Sequence, residues 1–327
     1  MADTNSEEGD ADRMKALITG AAGFIGSHLC QKLLADDWTV VGVDNFDSYY
    51  DPRIKRRNIS NCLKNKNFLL VEADIRDIDA IDKVVGEGIQ IIVHLAAMAG
   101  VRASIAQPLL YADVNVNGTM VLLELAKKHR IDKFIFGSSS SIYGNNKKVP
   151  FSEDDNVDFP ISPYAATKKA GELMCHTYHH LYGLSVTCLR FFTVYGPRQR
   201  PDLAIYKFVK LIEQDKPIEV YGDGTMMRDF TYIDDIIDGI ISSMNRCDGF
   251  NIYNLGESQP VSVNDLITEI EKVLGKKATR HYQPPPPGDV ERTYADITKA
   301  AKELGYHPST SIQAGLLKFT AWFREQA

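Results

Sequence analysis

Short apolar runs recur along the chain through residue 191, separated by stretches in which apolar residues return at helical spacing. The runs Lys15–Thr19, Thr39–Val43, Phe68–Glu72, Ile91–Ala97, Lys133–Gly137 and Ser185–Phe191 predict six strands. Helical periodicity predicts helices over Phe24–Leu34, over about Pro108–His129, and through the segment that carries Tyr164 and Lys168. Strand and helix in alternation predict an α/β fold with a Rossmann-type doubly wound parallel sheet. After Phe192 the alternation loosens and loops lengthen. Phe230–Gly239 reads as strand then helix, Ser262 with Asp265 reads as a helix start, and a last helix is expected over about 311–325. This part reads as a smaller α/β domain.

The first strand stops at Gly20-Ala-Ala-Gly23-Phe24-Ile25-Gly26, and a helix opens there. Glycines let a backbone turn tightly against a pyrophosphate, and a helix N-terminus favours its charge. Asp44, with Asn45 after it, ends the second strand about 20 residues on. A carboxylate there accepts both ribose hydroxyls and repels a 2′-phosphate, so NAD is expected rather than NADP. Asp74 and Ile75 stand where an adenine contact is natural, and Leu95-Ala96-Ala97 would let a cofactor lie close. His94 reads as a core histidine. Asn115 and Asn117 either face the cofactor or are exposed, and Lys55-Arg56-Arg57 read as a solvated face. The expected division is an NAD-binding domain of residues 15–192 plus about 230–258, with a substrate-binding domain of 193–229 plus about 259–327.

Ser138–Ser141 bring four hydroxyls to the end of the fifth strand, where open α/β sheets bind ligands. Tyr164 and Lys168 are one helical turn apart on one face. A nearby ammonium favours the phenolate, so the pair can serve as a general base. The same spacing also arises on ordinary amphipathic helices. Arg198, Arg200, Arg228 and Arg292 lie in loops. Together they would suit a polyanion such as a nucleotide diphosphate; apart, they are four solvated arginines.

Composition narrows the classes. Hydrophobic content of 44% and charged content of 24% describe an ordinary globular chain. A net charge of -6 argues against a nucleic-acid binder. No apolar run approaches the ~20 residues that span a bilayer. The five cysteines are widely spaced, which predicts reduced thiols, no metal site and a cytoplasmic location. Residues 1–14 are expected to be a disordered acidic tail.

The motifs at 20–26, 94–97, 138–144, Tyr164-x-x-x-Lys168 and Arg-Asp-Phe-Thr-Tyr-Ile-Asp-Asp at 228–235 resemble the extended short-chain dehydrogenase/reductase family, over nearly all of the chain after residue 14. Within it the chain is most similar to the UDP-glucuronate 4-epimerases. The closer matches begin at Asp44, Lys148, Tyr164 and Leu189. The resemblance implies that Tyr164, Ser139 and Lys168 are catalytic, with Tyr164 taking the sugar 4-hydroxyl proton while hydride passes from C4 to NAD and returns to the other face. It implies Gly20, Gly23, Phe24, Ile25, Gly26, Asp44, Asn45, Asp74, Ile75, Leu95, Ala96 and Ala97 for NAD. By position, Ser140, Thr193 and Arg200 are candidates for a sugar carboxylate, Arg228 and Arg292 for UDP, and Arg198 for the same polyanion. A homodimer through helices 108–129 and 164–182 is implied as well. The alternatives are a UDP-glucose or UDP-N-acetylglucosamine 4-epimerase and a UDP-glucuronate decarboxylase. The latter usually carries Glu where Ser141 stands.

Overall fold

The computed structural model describes residues 13–86, 88–284 and 292–326. The expected acidic tail up to residue 12 and the loop around Gly288 lie outside these residues. Arg13 and Met14, counted with that tail, are tied to the fold: Arg13 donates to Asn67 and the Met14 carbonyl accepts from Thr39.

Seven parallel strands form the main sheet. They are β1 (Lys15–Thr19), β2 (Thr39–Asp44), β3 (Phe68–Glu72), β4 (Ile91–His94), β5 (Lys133–Ser139), β6 (Ser185–Phe191) and, later in the chain, β10 (Phe250–Leu255). Their order, β10-β6-β5-β4-β1-β2-β3, reverses between β1 and β4, and a crevice opens there at the strand ends. The central strands are buried on both faces, as helix-covered parallel sheets require.

The helices of this part are α1 (Phe24–Ala35), α2 (Pro52–Ile59), α3 (Ile78–Val85), α4 (Val101–Ala106), α5 (Pro108–Ala112), α6 (Gly118–His129) and α7 (Pro163–Tyr182). α7 starts where Ser162 accepts a hydrogen bond from the Ala165 amide, has Pro163 in its first turn, and ends at Gly183 in a left-handed conformation.

The remaining strands are β7 (Thr193–Tyr195), β8 (Ile218–Tyr221), β9 (Met227–Tyr232), β11 (Pro260–Ser262), β12 (Arg280–Gln283) and β13 (Arg292–Thr293). β9 pairs with β7, β11 and β13, and β8 pairs with β12. Helices α8 (Ala204–Glu213), α9 (Ile233–Asn245), α10 (Val263–Leu274), α11 (Thr298–Leu304) and α12 (Ile312–Glu325) complete the fold. One apolar core runs from Leu29 and Leu33 of α1 to Leu266 of α10 and Phe319 of α12.

Three details depart from the sequence pattern. β4 ends at His94, because the Thr19 hydroxyl takes the Ala96 amide (3.2 Å) and draws residues 95–97 out of the ladder. The helix expected over 108–129 is broken by a π turn at Asp113–Asn117. The seventh strand, β10, returns to the main sheet from beyond Tyr232.

Candidate active site

A cleft of about 420 Å³ opens over the ends of β1, β2, β4 and β5. One wall is the turn after β1. Gly20 has φ +70°, and a Cβ on it would stand 2.9 Å from the Ala96 nitrogen. A side chain there would be strained and would push apart the two turns that line the cleft. Gly23, Phe24, Ile25 and Gly26 continue this wall. Asp44 is held from behind: its carboxylate accepts the amides of Ala22 (3.0 Å) and Phe46 (2.8 Å). Asn45 donates to Asp74 (2.9 Å), and Arg76 holds the Asp74 carboxyl down to about 2. Asn45, Asp74, Ile75, Leu95, Ala96 and Ala97 line the same side. A backbone turn that tolerates no Cβ, followed by a fixed carboxylate, fits a dinucleotide.

Lys55 corrects the sequence reading. It is buried rather than solvated, with Nζ 4.0 Å from Asp44 and 4.9 Å from the Tyr50 ring centre, and it lines the cleft. Arg56 is exposed and pairs with Glu72. The signal available for Lys55 was its helical phase: it falls on the inner face of α2 with Asn58 and Ile59.

The opposite wall carries Ser139, Ser140, Ser141, Tyr164, Lys168, Thr193 and Arg200. Successive serines on β5 diverge. Ser138 turns back and donates to Glu172 (2.6 Å), while Ser139 caps the short turn that follows and accepts the Ser141 amide (3.2 Å). Glu172 in turn holds Arg190 through two hydrogen bonds of 2.9 and 3.0 Å, in a pair sealed from solvent. This pair ties α7 to β6 behind Tyr164 and Lys168. Close contact of α7 with β5 brings them to the cleft: a Cβ on Gly171 would stand 2.2 Å from the Phe136 ring.

The charge balance at Tyr164 differs from the sequence expectation. Burial raises its pKa, and the Ser139 hydroxyl and then the Arg200 charge pull it back in part. Lys168 faces the β5 backbone. Its ammonium donates to the Gly137 carbonyl (2.6 Å), and burial brings its own pKa down to about 8. In a low-dielectric wall, desolvation of a phenolate outweighs one neighbouring charge.

The π turn has a role here. Asn115, buried on it, holds both the amide and the carbonyl of Met98 (2.8 and 3.0 Å) and donates to Thr167 (3.0 Å), next to Lys168 on α7. Asn117 is exposed and donates to Asp113 (2.9 Å). His94 is a core residue, as expected. It bridges Thr19 (2.8 Å) and Thr119 (2.9 Å), and burial lowers its pKa to about 3.

The four arginines do not converge. Only Arg200 lines the cleft, and its side edge is paired with Asp202 (2.9 and 2.7 Å). Arg198 turns outward onto α1, toward Ser27 and Gln31. Arg228 and Arg292 each bond Met227, through its carbonyl and its sulfur, off the cleft lining. Tyr49, Tyr50 and Gly100 line the cleft beside Arg200 without having been singled out from the sequence.

A family model described as GDP-mannose 4,6 dehydratase matches residues 17–319. The chain belongs to that family. It is 46% identical over 311 residues to a UDP-glucuronate 4-epimerase of Thermodesulfobacterium geofontis, covering 94% of this chain and 96% of the relative. It superposes with a TM-score of 0.91 on the crystal structure of a Bacillus cereus UDP-glucuronic acid 4-epimerase in complex with UDP-glucuronic acid and NAD. That pair is 40% identical and covers 96% of this chain and 100% of the other. A UDP-glucose 4-epimerase of Thermotoga maritima with UDP-glucose reaches 0.88 at 34% identity, covering 96% of this chain and 99% of its own. The α/β fold and the nucleotide-sugar epimerase kinship expected from the motifs agree with these matches.

Proposed function

We infer that the protein is an NAD-dependent UDP-sugar 4-epimerase that interconverts UDP-glucuronate and UDP-galacturonate. One observation carries the choice of an anionic sugar: Arg200 and Thr193 line the cleft that also holds Tyr164 and Ser139. The family description names a dehydratase. This chain carries Ser139-Ser140-Ser141 at the end of β5, so no acid stands there to expel water.

Bound NAD would supply a hydride acceptor and donor at C4, held by the Gly20–Gly26 turn, Asp44, Asn45, Asp74, Ile75, Leu95–Ala97 and Lys168. Tyr164 removes and returns the proton of the 4-hydroxyl, and Ser139 holds the 4-oxygen by a hydrogen bond. Arg200, Thr193 and Ser140 fix the carboxylate. A 4-keto uronate is a β-keto acid, and it loses CO₂ when the carboxylate bond lines up with the ketone π-system. Donors fixed beforehand hold it out of line. Thr193→Val is therefore expected to release more pentose per turnover, measured by NMR; unchanged partitioning would remove Thr193 from this role.

Arg228 and Arg292, off the cleft lining, stay candidates for the UDP phosphates through their joint position beside β9. The division into an NAD-binding part, 15–192 plus about 230–258, and a substrate-binding part rests on the separate sheets. Exposed Leu109, Leu173, Leu181 and Tyr182 on α5 and α7 suit a homodimer packed through these helices. Among the described residues no helix is long and apolar enough to cross a membrane; the five free, buried cysteines suit a reducing, cytoplasmic location.

A neutral UDP-sugar is the second reading. It is favoured by the Asp202 carboxylate, which already offsets the Arg200 charge. Incubation with UDP-glucuronate, UDP-glucose and UDP-N-acetylglucosamine in parallel, followed by NMR, decides between them. UDP-galacturonate as the main product supports the first reading, and turnover of the neutral sugars alone overturns it.

A further inference from the structure

The loop between β7 and α8 sends two arginines in opposite directions. Arg200 lines the cleft. Two residues earlier, Arg198 lies against α1, with Nη1 3.4 Å from the Ser27 hydroxyl and Nη2 donating to Gln31 Oε1. The same face of α1 holds the loop a second time, through His28 Nε2 and the Pro197 carbonyl (2.9 Å). Ser27 donates to the carbonyl of Phe24, which lines the cleft in the glycine-rich turn.

Arg198 meets neutral oxygens only: among the described residues it has no acidic partner within ion-pair distance, although it is half-buried. Its backbone is left-handed, at φ +65°. A residue with a Cβ keeps that conformation only where its surroundings over-determine it. The inner side of the loop is also fixed. Gln199 is buried, its amide bonds the Gly196 carbonyl (3.1 Å), and its side chain bonds the Val194 carbonyl (3.3 Å). Leu203 closes the turn onto the Arg200 carbonyl (3.2 Å).

We propose that Arg198 is a positioning residue: it bolts the 196–203 loop to the first turns of α1 and so holds Arg200 in the cleft. Arg198 itself touches no substrate. The bolt joins the phosphate-side turn to the loop that reads the sugar, and a substrate-binding arginine would not make these contacts.

The proposal rests on Arg200 meeting the sugar carboxylate, so its test separates the two. In the full chain, calorimetry gives the affinity of UDP-glucuronate and of UDP for wild type, Arg198→Ala, Arg200→Ala and the double variant. Arg198→Ala is expected to weaken UDP-glucuronate by about 10-fold and UDP by less than about twofold. The double variant is expected to bind UDP-glucuronate no worse than Arg200→Ala alone, because both changes remove one contact. Equal weakening of both ligands by Arg198→Ala, or additive losses in the double variant, would overturn the proposal. If Arg200→Ala leaves the UDP-glucuronate to UDP ratio unchanged, the carboxylate reading fails, and hydrogen exchange then decides about Arg198. Exchange at the Gln199 and Leu203 amides is expected to quicken about 10-fold or more in Arg198→Ala and not in Arg200→Ala. Unchanged protection would overturn the proposal whatever the ligand.

Discussion

The two walls of the cleft are built on different principles. The wall after β1 and β2 is backbone first: Gly20 permits no side chain, and Asp44 is fixed by two amides, that of Phe46 two residues on and that of Ala22 in the turn after the neighbouring β1. The wall around Arg200 is assembled from side chains far apart in the chain. Arg200 pairs with Asp202, its guanidinium lies over the Tyr49 ring at 5.3 Å, and a Cβ on Gly100 would meet the Tyr49 hydroxyl at 3.0 Å. A ligand with a constant shape suits the first wall, and a ligand whose charge must be read suits the second. Changes in one wall should therefore leave binding at the other intact.

The largest effect belongs to the phenol on the second wall. Tyr164→Phe should lower turnover by about 10²–10⁴-fold with little change in bound NAD or in UDP affinity. A loss of cofactor together with activity would show that Tyr164 supports the wall instead of serving the chemistry. Asp44→Ala breaks the first wall alone. NAD affinity should fall by about 10–100-fold, the loss of charge-assisted bonds to a ribose, while UDP affinity stays within about twofold. Parallel losses of both ligands would contradict the separation.

The smallest effect is a control outside both walls. Glu257 lies off the cleft lining, and its Oε2 is buried without a hydrogen-bond partner among the described residues. Burial, and then Asp235 and Asp229, raise its carboxyl from 4.5 to about 7. The folded chain therefore holds a proton that the unfolded chain releases above pH 4.5. Relative to Glu257→Gln, the wild type should lose stability as pH rises from 4.5 to about 7. Because the side chain is part-exposed, solvent screening reduces the expected gain to about 1 kcal/mol at pH 8. Denaturant midpoints at pH 5 and pH 8 measure it; equal gains at both would refute the titration, and turnover should not change.

The contrast between the walls also explains what the sequence made legible. Local signals were enough where local backbone builds the structure. The Gly20–Gly26 turn and the Ser162–Pro163 start of α7 are built mainly by neighbours within a few residues, Asp44 is held by Phe46 and by the turn after the adjoining strand, and their strands and helix match the pattern. The second wall depends on pairs such as Tyr49 with Asp202, 153 positions apart, and no period or motif encodes that meeting. Arg198 and Arg200 are two residues apart, yet a left-handed residue sends them to opposite sides. The burial of the Tyr164 hydroxyl, which sets the direction of its pKa, comes from packing of whole elements and not from the i, i+4 spacing.

Specificity constants for UDP-glucuronate and UDP-glucose, measured side by side for wild type and Arg200→Ala, test most directly the proposal that the Arg200 wall reads a carboxylate. A wild-type preference for UDP-glucuronate of about 100-fold or more, falling to within about tenfold in the variant, is the expected result. The same preference in both proteins, or a wild type that favours UDP-glucose, would contradict it.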